Sequence, residues 1–321
     1  MTEPVRWGLA GPGRIAATMA EEFAHLPDAR LVAVGSRSLE RARGFADRFG
    51  LDAAYGSYSE LIASDVDAIY LATTHAQHTD IALEAIEAGK ALLIEKSFTT
   101  SVADTTRIVD AARSNGVFVM EAMWTRFLPA IAALRRLIAD GELGEVRTVQ
   151  GDLIALRQYD PSDRLFNPEA GGGAVLDLGV YVISFALQVL GVPDTVLAVG
   201  GHYPNGVEGE AGILLGYSDG RFASEVASLK VAGPGRQVVS GTAGWVEVLP
   251  RFHRADALLV HPQGRDAYEV RPAKRGAGYN YEVEHVGDCL RAGLTESPIM
   301  PLADTLAVQQ VMAEVLRQLG R

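Results

Sequence analysis

The chain is expected to fold as α/β: a doubly wound parallel sheet followed by a second, α+β domain built on a mostly antiparallel sheet. Three observations carry this. Up to residue 122, short apolar runs alternate with helical stretches, the pattern of a parallel sheet with helices on both faces. The first run passes through Gly11-Pro12-Gly13 straight into a helix. From Val146 onward, extended runs follow one another with turn signals between them, such as Ser218-Asp219-Gly220 and Gly241-Thr242-Ala243-Gly244, as hairpins do.

Taken in order, residues 5–10 are a strand and 15–23 a helix. Residues 30–35 are a second strand, and 39–49 a helix with Ser38 at its N-cap. A strand at 68–72 leads to a helix at 79–88 closed by Gly89. The strand 91–94 precedes a helix at 102–114, with Ser101 and Asp104 spaced as a capping box. A short strand at 117–120 ends the first domain, 1–122; the second is 123–321. It opens with a helix at 128–139 and continues as strands at 146–156, 195–201, 211–217, 221–228, 237–242, 245–249 and 257–261. One helix interrupts them, 173–190, and two close the chain, 281–292 and 303–319. In the last, Val308, Val311, Met312, Val315 and Leu319 form a core-facing stripe.

Bulk numbers narrow the function. With 321 residues and 48% apolar content the chain can bury two cores. A formal charge of −11 opposes binding to nucleic acid or anionic membranes. One cysteine, Cys289, leaves no internal disulfide and no cysteine-based metal site. His75 and His78 are three apart but lack a third ligand, so no metal is expected. No basic or apolar leader opens the sequence, and no apolar stretch approaches a membrane span. A soluble, cytoplasmic protein is expected.

Gly11-Pro12-Gly13-Arg14-Ile15-Ala16 fits G-x-G-x-x-A between a strand and a helix. The first glycine permits the tight turn, the second lets backbone approach a pyrophosphate, and the small last residue packs helix on strand. Residues 11–15 are therefore candidate dinucleotide ligands, with the helix N-terminus facing the phosphates. At the end of the second strand, where an NAD enzyme carries an acid for the ribose hydroxyls, stands Ser36, followed by Arg37 and, further on, Arg41. Two guanidinium groups suit a 2′-phosphate, so NADP is expected over NAD. After the strand at 68–72, Thr73 and Thr74 would lie against the cofactor with His75, and His78 would point at the nicotinamide or pack.

The run at 91–94 ends in Glu95-Lys96. Strand carboxyl ends line the ligand crevice of a doubly wound sheet, so both are candidates for the place where cofactor and substrate meet. A lysine desolvated beside a cationic ring can take the proton of a substrate hydroxyl as hydride leaves the carbon. Gly171-Gly172-Gly173 admits close backbone approach before a helix carrying Asp177 and Tyr181, four apart and so on one face. Asp177 could bind a substrate hydroxyl or hold Lys96, and Tyr181 could join the proton transfer; a capping Asp and a core Tyr are the alternative.

These segments together resemble the Gfo/Idh/MocA oxidoreductase family over nearly the whole chain. The parts are the glycine loop, Ala72-Thr73-Thr74-His75-Ala76-Gln77-His78, Gly89-Lys90 with Glu95-Lys96, and Asp177-x-Gly179-x-Tyr181. The stretches Glu121-Ala122-Met123-Trp124-Thr125-Arg126-Phe127-Leu128-Pro129 and Arg164-Leu165-Phe166-Asn167-Pro168 are similar to the dihydrodiol and NADP-dependent D-xylose dehydrogenase branch. The resemblance implies a Rossmann domain, then a domain whose large open-faced sheet often makes a homodimer. It implies hydride transfer between a nicotinamide and a carbinol carbon of a sugar, cyclitol or trans-dihydrodiol, with Lys96 as central acid/base, Tyr181 its partner and Asp177 orienting. It places Trp124 and Arg126 beside cofactor and substrate, and Arg164 and Phe166 at the substrate pocket. A dinucleotide-binding regulator, or epimerase- or glycosidase-type chemistry with retained cofactor, are the other activities found in such a family. Ser97 departs from the family's Glu-Lys-Pro, where the proline commonly follows a cis peptide. A cis bond before a non-proline costs about 2.5–4 kcal/mol, and the sequence leaves it cis or trans.

Overall fold

A computed structural model describes residues 3–321, which form two compact units. The first comprises the chain up to Trp124 together with Arg275–Leu306; the second comprises Thr125–Lys274 and Ala307–Arg321. The segment Arg275–Leu306, placed with the second domain by sequence, thus packs with the first unit.

In the first unit the order is β1 (Val5–Ala10), α1 (Arg14–Glu22), β2 (Ala29–Gly35), α2 (Leu39–Phe49), β3 (Ala53–Tyr55), α3 (Tyr58–Ile62), β4 (Ala68–Leu71), α4 (His75–Glu87), β5 (Ala91–Glu95), α5 (Val102–Asn115) and β6 (Val119–Ala122). The six strands are parallel, in the order β3-β2-β1-β4-β5-β6. The order reverses between β1 and β4, the switch point at which such sheets bind ligands. One face packs Ile69, Leu71, Leu92, Ile94 and Val119 against Ile81, Ile86 and Ile108 of the helices. Local chemistry sets the ends: Ser38 caps α2 by accepting from the Arg41 amide, and Ser101 caps α5 by accepting from the Asp104 amide. The short β3 and α3 carry too little periodicity to read from sequence. α4 begins four residues earlier than expected, which puts both histidines in its first turn.

The second unit contains α6 (Pro129–Ala139), β7 (Val146–Ile154), α7 (Val180–Leu190), β8 (Thr195–His202), β9 (Glu208–Gly216), β10 (Phe222–Ser228), β11 (Gln237–Gly241), β12 (Gly244–Val248), β13 (Leu258–Pro262) and β14 (Tyr268–Val270). The eight strands run β14-β13-β12-β11-β7-β10-β9-β8, all antiparallel except β10 against β7. Alternation along β10 buries Ala223, Glu225 and Ala227 and exposes Phe222, Ser224 and Val226. The inner face lies under α7, whose residues are nearly all buried. By length and composition, Pro168–Leu190 does reach what a membrane helix needs, against the expectation from sequence, but 83% of its most apolar window is buried inside the protein. It is therefore a core helix here. α8 (Asn280–Arg291) belongs to the first unit, and α9 (Leu302–Gln318) begins there and ends in the second.

Candidate functional site

In the first unit the expected dinucleotide residues gather at the carboxyl ends of the strands. Gly11 follows β1 with φ +95°, and a Cβ there would lie 3.0 Å from the Ala72 carbonyl. Gly13 is the N-cap of α1; a Cβ there would meet only the Gly11 carbonyl, at 4.0 Å. Space in front of the helix is thus open, no side chain caps α1, and its first turn holds no acid. This is the cradle a pyrophosphate requires, with Pro12, Arg14 and Ile15 around it. Ser36 is buried at the end of β2 and its hydroxyl accepts from the Ser38 amide. Arg37 is exposed just beyond it, and the Arg41 guanidinium donates to the Pro12 carbonyl at 3.4 Å. Arg41 therefore stands beside the glycine loop, and Ser36 occupies the position where an acid would bind the ribose.

Thr73 and Thr74 follow β4, Thr74 as the N-cap of α4. His75 is buried, and its Nε2 lies 3.0 Å from the Lys96 carbonyl and 3.2 Å from the Ser97 amide. His78 is turned toward main chain. Its ring is fully buried, with Nδ1 3.0 Å from the Phe98 carbonyl and Nε2 3.3 Å from the Thr73 carbonyl. Burial pushes this imidazole down to about 4, because desolvation penalises its charged form more than two carbonyls can favour it. The packing alternative holds for His78.

Lys96 stands at the end of β5, half-buried, and its peptide to Ser97 is cis. Glu95 turns inward: its carboxylate accepts from the Tyr70 hydroxyl and, at 3.1 Å, from the Lys96 amide. Behind it lies a group that sequence does not reveal. Glu282 of α8 is fully buried, and among the described residues neither of its oxygens has a hydrogen-bond partner. Burial, then the charges of Glu95 and Glu121, push its carboxyl well above the usual range. Its only sequence signal is an acid on the apolar face that also carries Val283 and Val286. Trp124 stacks on Tyr279, with ring centroids 4.0 Å apart and planes at 15°. Glu22, at the end of α1, holds the loop before Asn280 by accepting from the amides of Ala277, Gly278 and Asn280 and from the Asn280 side chain. These bonds outweigh burial and hold its carboxyl below the ordinary value.

The second unit carries the remaining candidates. Asp177 lies in a π-helical turn, Val175–Gly179, and Tyr181 in the α-helix that follows. The wider turn means that the i, i+4 face expected for them is not an α-helical one; π-turns of this kind are frequent at functional sites. Asp177 is half-buried, and Tyr181 is buried with its ring 5.7 Å from that of His253. The glycine triplet serves the chain itself. A Cβ on Gly172 would lie 2.6 Å from the Arg164 and Leu165 carbonyls, and one on Gly173 would strike the Glu208 carboxylate. Glu208 is fully buried, accepts from the Val175 amide at 3.2 Å and pairs with Arg321, so it anchors the start of the helix. Arg126 is buried and donates through Nε and Nη2 to the Ser184 hydroxyl and carbonyl, which ties it to α7. Arg164 is exposed, whereas Phe166 is packed edge-on against Tyr159 and Tyr203. Phe166 is thus a packing residue, not an open pocket wall.

Residues 5–123 match the family described as an oxidoreductase family with an NAD-binding Rossmann fold, and residues 131–247 match the GFO/IDH/MocA C-terminal domain. The chain belongs to the GFO/IDH/MocA oxidoreductase family. It is an NAD(P)-dependent dehydrogenase. Trans-1,2-dihydrobenzene-1,2-diol dehydrogenase of Mus musculus is 36% identical over 98% of this chain and 97% of its own. The Homo sapiens protein of the same name is 34% identical over the same shares. Among solved structures, aldose-aldose oxidoreductase from Caulobacter crescentus, complexed with glycerol, superposes with a TM-score of 0.89 at 26% identity, covering 99% of both chains. Levoglucosan dehydrogenase, at 21% identity and a TM-score of 0.90, shares the fold.

Proposed function

We propose that this family member moves a hydride between NADP and a carbinol carbon of a sugar, cyclitol or trans-dihydrodiol. The observation that carries the reading is Lys96 at the carboxyl end of β5, on the strand edge that also holds the open glycine loop of α1. The names of the relatives, a diol dehydrogenase and an aldose oxidoreductase, support the substrate class. Structures of this fold hold NADP in one case and NADH in another, so the choice of NADP rests on Ser36, Arg37 and Arg41. Bound NADP supplies the hydride acceptor. Gly11 to Ile15 receive the pyrophosphate, and Arg37 and Arg41 the 2′-phosphate. Thr73, Thr74 and Trp124 border the dinucleotide. Lys96 takes the hydroxyl proton as hydride leaves, Tyr181 shares that proton, and Asp177 orients the hydroxyl; Arg164 is the remaining substrate candidate. The net charge of −11 disfavours nucleic acid and membrane partners, and the single cysteine suits a cytoplasmic setting. A homodimer through the outer sheet face completes the proposal.

The test follows absorbance at 340 nm with NADP or NAD and D-xylose, D-glucose, myo-inositol or a trans-dihydrodiol, for wild type and Lys96→Ala. NADP-preferring turnover that collapses in the variant is expected. NADP binding with no turnover on any member of the panel would favour a regulatory role, and a clear NAD preference would overturn the assignment of Arg37.

A further inference from the structure

Of the two histidines that open α4, His78 directs both ring nitrogens and His75 its Nε2 at main chain, and both reach the loop that follows β5. His78 meets the carbonyls of Phe98 and Thr73, at 3.0 and 3.3 Å. His75 meets the peptide that leaves Lys96: its Nε2 is 3.0 Å from the Lys96 carbonyl oxygen and accepts from the Ser97 amide at 3.2 Å. Either neutral tautomer of His75 finds a partner there, since a bare Nε2 accepts from the Ser97 N–H and a protonated one donates to the Lys96 carbonyl. Its ring is buried and held edge-on against His78, 5.8 Å away, so the nitrogen has little freedom to leave. From the other side, Glu95 accepts from the Lys96 amide at 3.1 Å and is itself fixed by the Tyr70 hydroxyl. The backbone of Lys96 is thus gripped on both flanks, by His75 of α4 and by Glu95 at the end of its own strand.

We infer that His75 is a positioning residue for Lys96, not a cofactor ligand: it fixes the peptide from which the lysine side chain departs, and through it the place of the amine. The inference rests on the reading of Lys96 as acid/base. A displacement of about 1 Å at a reacting group can cost on the order of a hundredfold in rate, so the effect belongs in kcat.

Two amide variants separate the possibilities. The His75→Gln amide reaches the position of Nε2; the shorter His75→Asn amide ends near Nδ1 and stops short of the peptide. On the best substrate of the panel above, His75→Asn should lower kcat by about 10- to 100-fold with the Kd for NADP, from fluorescence titration, nearly unchanged. His75→Gln should recover most of kcat. Adding Lys96→Ala to His75→Asn should cost nothing beyond Lys96→Ala alone, because both act through one amine. A second readout needs neither cofactor nor substrate: the rate at which Lys96 reacts with an amine-directed reagent, followed by peptide mass spectrometry, should change in His75→Asn and return in His75→Gln, with Lys90 as the unchanged control. A raised Kd for NADP with kcat intact would make His75 a cofactor contact and overturn the inference. So would losses that add to Lys96→Ala, or unaltered labelling of Lys96. If Lys96→Ala itself kept full turnover, the acid/base reading would fail, whatever the labelling showed.

Discussion

Side chains at this site divide by whether they face ligand space or main chain, and the division sets what each substitution does. Arg37 is exposed past β2, and its proposed partner is a phosphate. Charge-assisted hydrogen bonds are worth about 1.5–3 kcal/mol, so Arg37→Ser should raise the Kd for NADP at least about tenfold and leave that for NAD unchanged, in paired titrations. His78 is the opposite case. Its imidazole titrates at about 4 in the folded chain against about 6.5 unfolded. Between these values the unfolded state binds a proton that the folded state refuses. The stability this group confers is full above about pH 6.5 and falls as the pH drops toward 4, by about 3 kcal/mol in all. Melting temperatures taken from pH 8 to pH 4 should show a shallower acid limb in His78→Gln than in wild type. An equal slope would mean that His78 is not the group responsible.

Secondary-structure elements are held together by polar pairs that periodicity does not announce. Glu225 of β10 and Gln237 of β11 meet across Gly151 of β7, both fully buried, with the Gln237 amide donating to Glu225 at 2.8 Å. Gly151 is required there, since a Cβ would sit 2.2 Å from the Gln237 side chain. The remaining oxygens, Glu225 Oε1 and Gln237 Oε1, have no partner among the described residues, and a neutral carboxyl supplies the missing donor. Burial pushes the Glu225 carboxyl well above its ordinary value. The folded state is therefore favoured fully at acid pH and loses ground as the pH rises past about 4.3, where an unfolded Glu ionises. Glu225→Gln keeps both bonds without the titration. It should raise the melting temperature, and by more at pH 8 than at pH 5; a pH-independent change would refute the neutral acid. Gln318 of α9 makes a comparable clip, accepting from the Ala198 amide and donating to the Val196 carbonyl, both at 2.7 Å, along the free edge of β8. Removing both bonds in Gln318→Ala should cost about 1–2 kcal/mol in chemical denaturation and expose an unpaired edge. What sequence shows well are elements with strong periodicity or clear end chemistry: β1, α2 with Ser38, α5 with Ser101, and the glycine loop. It does not show β3, α3 or β14, each of three to five residues, nor the parallel pairing of β10 with β7, which depends on partners far apart in the chain. Among site residues, Lys96 is marked by an abrupt polar end to an apolar strand. Glu22, Glu208 and Glu282 each find their surroundings only once distant segments pack, so their type and spacing carry no sign of a role.

At the scale of the whole molecule, the eight-stranded sheet leaves one face without a covering layer of helices, and strand register explains why its apolar side chains form a patch. Leu197 of β8 pairs with Leu214 of β9, and Val199 and Val226 of β10 both lie against Gly212. Because directly paired residues share a face, these four point outward together, and Phe222 continues the patch along β10; Val199 is 76% exposed and Leu197 60%. The small Gly212 lets Val199 and Val226 approach across it. Exposed apolar patches of this continuity mark association surfaces, and a second copy presenting the same face would meet it isologously. A charge placed at the centre of such a contact is buried without a partner and opposes association strongly, while in the free subunit it stays in water and costs little. Sedimentation equilibrium should therefore find wild type as a dimer and Val199→Glu combined with Leu214→Glu as a monomer that still binds NADP. A wild-type monomer at tens of micromolar, or a double variant that stays dimeric, would show that this face is not the interface.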